Sequence, residues 1–212
     1  MTLETTTLIL IRHGNTFESH ETPVQVGFKT DLPLTQQGKQ QSTLLADYLK
    51  KNKIAPNAIY AGQLKRQQET ADSIGKAFNL PFSFEPSLNE IDYGLWEGQT
   101  ETEIKQKWVK PYQDWLEAAI WPKVIFGGSL ESHLAKIKTW LEHLKREHSN
   151  QTVVGVTSNG IIRLFLYFSN LNWPELVEMR QLADYKVKTA HFCKLIINSE
   201  GVTINAWNTT PF

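Results

Sequence analysis

The sequence predicts an α/β protein with three layers, in which a mainly parallel β-sheet carries helices on both faces. Short apolar runs rich in β-branched residues alternate with amphipathic helical stretches through most of the chain. The 212 residues show no internal repeat and no linker rich in Gly, Ser or Pro, so we expect a single domain over residues 1–212. Hydrophobic residues at 41% and charged residues at 21% are typical of an ordinary folded protein.

Hydrophobic periodicity predicts the elements of the first half of the chain. Residues Thr7 to Ile11 form a short apolar run that stops abruptly at a polar turn, as a buried strand does. Residues 36–51 place their leucines on one helical face and end in lysines, which the helix dipole favours there. A strand over residues 58–60 is predicted next, followed by a helix whose apolar face runs from residue 64 to residue 78.

The tryptophan-rich middle of the chain is interpreted as helices and loops that pack as a lid insertion around residues 96–128. Thr100 and Glu103 have the spacing of a capping box, which predicts a helix start, and Pro111 and Pro122 interrupt the stretch. Ser129 is the predicted N-cap of the helix that follows. The remaining predicted elements are helices over 130–144 and 161–168 and strands over 152–157, 192–197 and 202–207.

Composition and charge exclude several classes of function. Lysine plus arginine number 22 and aspartate plus glutamate also number 22, so a broad basic surface for nucleic acid is not expected. The single cysteine, Cys193, allows neither an internal disulfide nor a multi-cysteine metal site. Neither a membrane span nor a signal peptide pattern is present, which predicts a cytoplasmic protein without a membrane partner.

Two predicted strands end in polar turns that suit a ligand site. In open α/β sheets ligands bind beyond the carboxyl ends of the strands. The first strand runs into Arg12, His13 and Gly14, and the strand over 152–157 runs into a Ser-Asn-Gly turn. An arginine beside a histidine disfavours the charged imidazole and attracts an anion, and phosphate satisfies both conditions. A hydrogen-bonded structural histidine at a strand end is the alternative interpretation.

Two further stretches carry candidate groups for the same site. Arg66 lies near a predicted helix start, where anions are favoured, although a solvated basic face is an alternative. Residues 88–98 are dense in carboxylates, aromatic residues and glycines, and turn glycines with surface acids would also explain them.

Taken in order, these stretches resemble the histidine phosphatase superfamily, which includes the cofactor-dependent phosphoglycerate mutases. The resemblance is collinear and covers most of the chain, and it implies a phosphoglycerate mutase-like fold. Five segments carry it: Arg-His-Gly-Asn-Thr at 12–16, the D-x-P-L-T-x-x-G-x-x-Q pattern at 31–41, the second-arginine helix at 64–71, the acid segment at 88–98 and the last signature at 156–163.

The resemblance implies a role for each residue of the site. His13 would be the nucleophile, and Arg12 and Arg66 would bind the phosphoryl oxygens. Glu90 would be the general acid by its position in the motif, while the residues alone leave Asp92 and Glu97 as rivals. The remaining implied contacts with phosphate are neutral donors, namely Asn15, Thr16, Ser158 and Asn159. No metal and no cofactor is expected, because the six histidines show no ligand spacing with carboxylates.

The last signature departs from the family pattern, because Ser158 stands where most members carry a second histidine. A serine offers a neutral hydroxyl in place of a positive donor, so we expect reduced or retuned activity. His20 and His191 are the histidines considered as substitutes, although a structural or surface role is the default interpretation of both.

The predicted function is a metal-independent phosphatase that hydrolyses a phosphomonoester through a phosphohistidine intermediate. Its partner would be a small phosphorylated metabolite or a phosphoprotein. The alternatives are a weakly active or inactive relative that binds phosphorylated ligands, and a phosphoglycerate mutase. Loops over 23–30 and 108–122 are expected to set the substrate, and the oligomeric state is not readable from the sequence.

Overall fold

Strands from both ends of the chain form one mixed sheet. The computed structural model describes residues 4–118, 120–169 and 185–211, and within them the strand order is β3-β2-β4-β1-β5-β6. The first four strands pair in parallel, whereas β5 and β6 pair antiparallel at one edge. The strands are β1 Thr6–Arg12, β2 Ala58–Ala61, β3 Phe82–Phe84, β4 Thr152–Thr157, β5 Phe192–Asn198 and β6 Gly201–Thr209.

Three of the helices begin where a side chain accepts from a backbone N–H of the first turn. The Thr35 side chain accepts from the N–H of Gly38 and the Ser129 side chain accepts from the N–H of Ser132. Thr100 forms the predicted capping box with Glu103. The helices are α1 Gln36–Lys51, α2 Lys65–Phe78, α3 Glu101–Lys107, α4 Val109–Ala118, α5 Leu130–Glu147 and α6 Asn159–Leu164. None of these described helices is long and apolar enough to cross a membrane.

Alternation along β1 sends its side chains into two separate cores. Leu8 and Leu10 belong to the core that includes residues of α5, whereas Ile9 and Ile11 belong to the core that includes residues of α1 and α2. All four side chains are fully buried. The sheet is therefore covered on both faces, which confirms the predicted fold class.

The largest differences from the sequence prediction concern β3 and α6. Strand β3 was not predicted, because it has only three residues and Ser83 and Phe84 are exposed, so no apolar pattern marks it. The helix predicted over 161–168 begins earlier, at Asn159, and continues beyond Leu164 as a 3-10 helix over Phe165–Phe168. Tighter 3-10 turns are common at helix ends, where the regular hydrogen-bond ladder runs out of partners.

Tryptophans from the middle of the chain pack around one phenylalanine. The ring centroids of Trp96, Trp115 and Trp121 lie 4.9, 5.3 and 5.2 Å from that of Phe126. The three indoles are only 2%, 4% and 5% exposed, so they belong to the core. Helices α3 and α4 occupy this stretch, and its role as a lid stays a prediction.

Candidate active site

The carboxyl ends of β1 and β4 lie side by side and open into a cleft of about 580 Å³. The N–H of His13 donates to the carbonyl of Thr157 over 3.0 Å, which continues the parallel ladder past the end of β1. The predicted residues that line the cleft are Arg12, His13, Asn15, Thr16, Arg66, Glu90 and Asn159. The fold thus brings together groups that are up to about 150 residues apart in the chain.

His13 is held as a neutral imidazole whose Nε2 lone pair accepts a hydrogen bond from an arginine. Its Nδ1 lies 2.8 Å from the carbonyl oxygen of Gly14, which only accepts, so the proton belongs on Nδ1. Arg66 donates from Nε to His13 Nε2 over 3.2 Å. Burial, followed by the positive charges of Arg66 and Arg12, holds the pKa of His13 well below its usual range. The side chain is only 6% exposed, and a neutral imidazole is the form in which a histidine can act as a nucleophile.

Arg66 is positioned by the backbone of the loop that precedes α1. Its Nη1 donates to the carbonyl of Thr30 over 2.8 Å, and its Nη2 donates to the carbonyl of Gly27 over 3.1 Å. In the part of the chain described, no carboxylate lies within ion-pair distance of this guanidinium group. Arg66 therefore holds a fixed positive charge beside His13.

Arg12 supplies a second positive charge. Its Nη1 donates to the carbonyl of Val187 over 2.7 Å, while its Nε is buried and has no hydrogen-bond partner among the residues described. Burial lowers the pKa of both Arg12 and Arg66, and the negative charge of Glu90 opposes that shift. Two guanidinium groups that flank an imidazole form a site for a multiply charged anion such as phosphate.

Of the three candidate carboxylates, Glu90 is the one that lines the cleft, which Glu18, Glu21 and Glu101 also border. It is 5% exposed, and its Oε1 accepts from the N–H of Ile91 over 2.9 Å. Burial raises the pKa of Glu90 above its usual range, against the opposing effects of that N–H and of Arg66 and Arg12. A carboxyl group with a raised pKa keeps its proton to higher pH and is suited to general acid catalysis.

The rival carboxylates hold loops instead. Asp92 pairs with Lys29 at 2.8 Å and also accepts from the N–H of Gly94. Glu97 accepts from the N–H of Gly27 at 3.0 Å and from the hydroxyl of Thr30 at 3.2 Å. Neither carboxylate lines the cleft, and Glu97 fixes the same loop whose carbonyls hold Arg66.

The neutral donors are held by a second set of contacts. Asn15 donates from Nδ2 to Gln37 over 3.0 Å and accepts from the hydroxyl of Thr189. Asn159 accepts at Oδ1 from the N–H of Val187 over 2.8 Å. Because that oxygen is occupied, the Nδ2 donors are what the Asn159 side chain can offer to a ligand.

Ser158 lies behind the surface of the cleft. It is 1% exposed, does not line the cleft, and accepts at Oγ from Gln67 Nε2 over 3.0 Å. The same Nε2 also donates to the carbonyl of Leu88 over 3.0 Å. A direct contact between Ser158 and phosphate stays a prediction. His20 and His191 do not line the cleft either.

The residues of the site that were not assigned a role from the sequence include Tyr93, Gly160 and Arg163. Tyr93 and Arg163 are buried and line the cleft. Burial and the charge of Glu90 raise the pKa of Tyr93 well above its usual range, so its hydroxyl stays protonated. The sequence signal for Gly160 and Arg163 was their retention in the last signature, which carries no information about what they contact.

Comparison with known proteins decides the family. The profile described as the histidine phosphatase superfamily (branch 1) matches residues 8–210. The chain belongs to this superfamily. Within the described residues of this histidine phosphatase, no group of three or more His, Cys, Asp or Glu side chains is placed to hold a metal ion.

Several relatives are phosphatases of small molecules. Phosphoserine phosphatase 1 of Hydrogenobacter thermophilus is 36% identical over 151 residues, which cover 71% of this chain and 69% of the relative. A metal-independent phosphoserine phosphatase of Arabidopsis thaliana is 29% identical over 162 residues, which cover 76% of this chain and 67% of the relative. One similar solved structure is a histidine-to-alanine mutant of phosphoserine phosphatase from Entamoeba histolytica, bound to phosphoserine. Its sequence is 26% identical, and the superposition covers 97% of this chain and 98% of that chain with a TM-score of 0.74. The family therefore supports phosphatase activity for this chain.

Gly160 is predicted to be irreplaceable because the site leaves no space beside it. A Cβ at this position would lie 2.3 Å from Tyr93 Oη and 2.6 Å from Glu90 Oε1. We expect Gly160→Ala to lower the free energy of unfolding by about 1–3 kcal/mol and to reduce turnover by displacing Glu90. Thermal unfolding and phosphatase assays measure the two effects. Combining Gly160→Ala with Tyr93→Phe removes the nearer atom and should recover part of the stability; equal stability of wild type and Gly160→Ala would contradict the prediction.

Proposed function

We propose that this protein is a metal-independent phosphatase that hydrolyses a small phosphomonoester through a phosphohistidine on His13. The observation that carries the proposal is the neutral His13 imidazole, whose Nε2 accepts from Arg66. Beside it lie the guanidinium groups of Arg12 and Arg66, which form no ion pair with a carboxylate of the described residues. Relatives that act on phosphoserine support a small substrate. A cytoplasmic location and a lid around residues 96–128 remain predictions.

In the first step, Arg12 and Arg66 bind the phosphoryl oxygens and offset their charge, which otherwise repels a nucleophile. When the Nε–H of Arg66 donates to a phosphoryl oxygen instead of to His13, the Nε2 lone pair is released and attacks phosphorus. The bond from phosphorus to the ester oxygen breaks. Glu90 gives its proton to the departing alkoxide, which leaves as the alcohol. The product is phosphohistidine, with Nδ1–H still donating to Gly14.

In the second step, water hydrolyses the phosphohistidine. The Glu90 carboxylate takes a proton from water while the oxygen attacks phosphorus. The phosphorus–nitrogen bond breaks and its electron pair returns to His13 Nε2, which releases inorganic phosphate and restores both groups. Asn15, Thr16 and Asn159 would donate hydrogen bonds to the phosphoryl oxygens in both steps.

The proposal is tested by phosphate release from p-nitrophenyl phosphate and from phosphoserine in excess EDTA. We expect turnover that the chelator does not reduce. The absence of turnover with any of a panel of small phosphoesters, from mildly acidic to mildly alkaline pH, would contradict it and favour the phosphate-binding alternative. Conversion of 3-phosphoglycerate to its isomer, instead of phosphate release, would indicate a mutase.

The pH dependence of kcat/KM should report the two titrating groups. Activity requires deprotonated His13 and protonated Glu90, so it is lost as pH falls through the lowered pKa of His13 and as pH rises through the raised pKa of Glu90. Glu90→Gln cannot exchange this proton and should lower kcat by about 10²–10⁴-fold, with loss of the alkaline limb. Asp92→Asn is the matched control and should keep that limb. An alkaline limb that persists in Glu90→Gln would assign the proton to another group.

A further inference from the structure

The wall of the cleft contains a third guanidinium group that the proposed chemistry does not use. Arg163, on α6, is 2% exposed and lines the cleft. Its Nε is buried and has no hydrogen-bond partner within the described part of the chain. Among residues 4–118, 120–169 and 185–211, no carboxylate lies within ion-pair distance of Arg163. Buried charges are normally paired, so a ligand can supply the partner that the described residues do not.

Backbone and ring contacts fix Arg163 without neutralising it. Nη2 donates to the carbonyl of Leu116 over 3.0 Å and to the carbonyl of Trp115. The guanidinium carbon lies 4.5 Å from the centroid of the Trp115 ring. Burial lowers the pKa of Arg163 to about 10, so the group remains charged at neutral pH. The result is a cation that is already oriented before a ligand arrives.

The position of Arg163 relates it to the alcohol part of the substrate. Gly160 and Arg163 are three residues apart on α6 and therefore lie on the same face of the helix. Gly160 lies directly against Glu90 and Tyr93. In the proposed function Glu90 protonates the departing alcohol, so Arg163 lies on the leaving-group side, whereas Arg66 lies at the nucleophile.

We propose that Arg163 binds a second anionic group, a carboxylate or a phosphate, on the alcohol part of the substrate. This inference rests on the proposed function and narrows its substrate class to phosphomonoesters of acids. The guanidinium fork is matched to carboxylate and phosphate oxygens. The cleft of about 580 Å³ has room for such a substrate beyond the phosphoryl group.

Matched substrate pairs test the proposal. Phosphoserine carries a carboxylate that phosphoethanolamine lacks. In the second pair, 3-phosphoglycerate carries a carboxylate where glycerol 3-phosphate has an uncharged hydroxymethyl group. Propanediol bisphosphate and its monophosphate distinguish a second phosphate from a carboxylate. For either the carboxylate pairs or the bisphosphate pair, we expect the wild-type kcat/KM to be at least about tenfold higher for the acidic member. The reason is that a site built for a polar group rejects the analogue that lacks it. Arg163→Gln should remove that preference, mainly through KM.

A purely structural role of Arg163 gives a different pattern. Loss of the contacts with α4 alone would lower turnover equally for both members of each pair and leave their ratio unchanged. Arg163→Lys retains a charge and should keep part of the preference even if Arg163→Gln folds poorly. Equal use of both members of every pair by wild type would overturn the proposal.

A binding measurement separates failure of this inference from failure of the proposed function. Calorimetric titration of the His13→Asn protein with the same pairs requires no turnover. Tighter binding of the acidic member, lost on adding Arg163→Gln, would support the Arg163 site even if no phosphoester were hydrolysed. Equal binding of both members would refute it independently of activity.

Discussion

Replacing His13 by asparagine is expected to abolish phosphate release, with a loss in kcat on the order of 10⁴-fold or more, the scale seen when a covalent nucleophile is removed. Asparagine can still donate toward the carbonyl of Gly14, as Nδ1 of His13 does at 2.8 Å, but it has no nucleophilic nitrogen at the Nε2 position. The variant should therefore fold and still bind phosphate through Arg12 and Arg66.

Three measurements check this expectation: turnover, phosphate affinity and acid-labile labelling of the protein by a radioactive phosphoester. His148→Asn is the matched control. Its Nδ1 also has a protein partner, Gln151 at 2.8 Å, and its Nε2 lies 2.9 Å from the hydroxyl of Tyr60, but it does not line the cleft. A His13→Asn protein that still accepts the label would move the nucleophile elsewhere and refute the proposed mechanism.

Elements whose burial is decided locally were predictable from the sequence. The helix over Gln36–Lys51 and the strand over Thr152–Thr157 have the predicted bounds, because their apolar periodicity and their end signals agree. Strand β3 has no such pattern, and in the described part of the chain its pairing with β2 defines it. Such a pairing joins segments that are distant in sequence, so a local window of sequence does not contain it.

The site was predictable as a set of residues but not as a set of contacts. Motif order identified Glu90, whereas Asp92 and Glu97 could be distinguished only by their partners, Lys29 and the loop at Gly27. These partners are distant in sequence, so spacing carries no trace of them. The same holds for the buried hydroxyl of Ser158, whose hydrogen-bond donor comes from α2.

Arg163 was present in the predicted motif, but its burial and contacts were not predictable from the sequence. The sequence retains it in the last signature, but an arginine three residues after a glycine is equally compatible with a solvated side chain. Its burial against the Trp115 ring follows from the packing of α4 onto α6. Only that packing reveals a charge without a carboxylate partner in the described part of the chain.

Replacing Arg66 by methionine is expected to lower kcat/KM by about 10²–10³-fold, the cost of removing one preorganised donor to a developing charge. Methionine preserves much of the buried volume of the side chain but supplies no hydrogen bond to Gly27 or Thr30, whose carbonyls Arg66 now binds at 3.1 and 2.8 Å. Part of the loss will therefore come from a looser loop. Arg66→Lys restores the charge without the fork and should recover less than full activity.

The pH profile distinguishes a lost charge from a loosened loop. Burial is the largest cause of the low pKa of His13, and Arg66 is the largest contribution from a charge. Without Arg66 the pKa of His13 should rise, so the acid limb of kcat/KM should move to higher pH in Arg66→Met and much less in Arg66→Lys. Lys65→Met is the control, because it removes the same charge from the neighbouring, 61% exposed position of α2. An acid limb that stays in place in Arg66→Met would show that Arg66 does not control the protonation of His13.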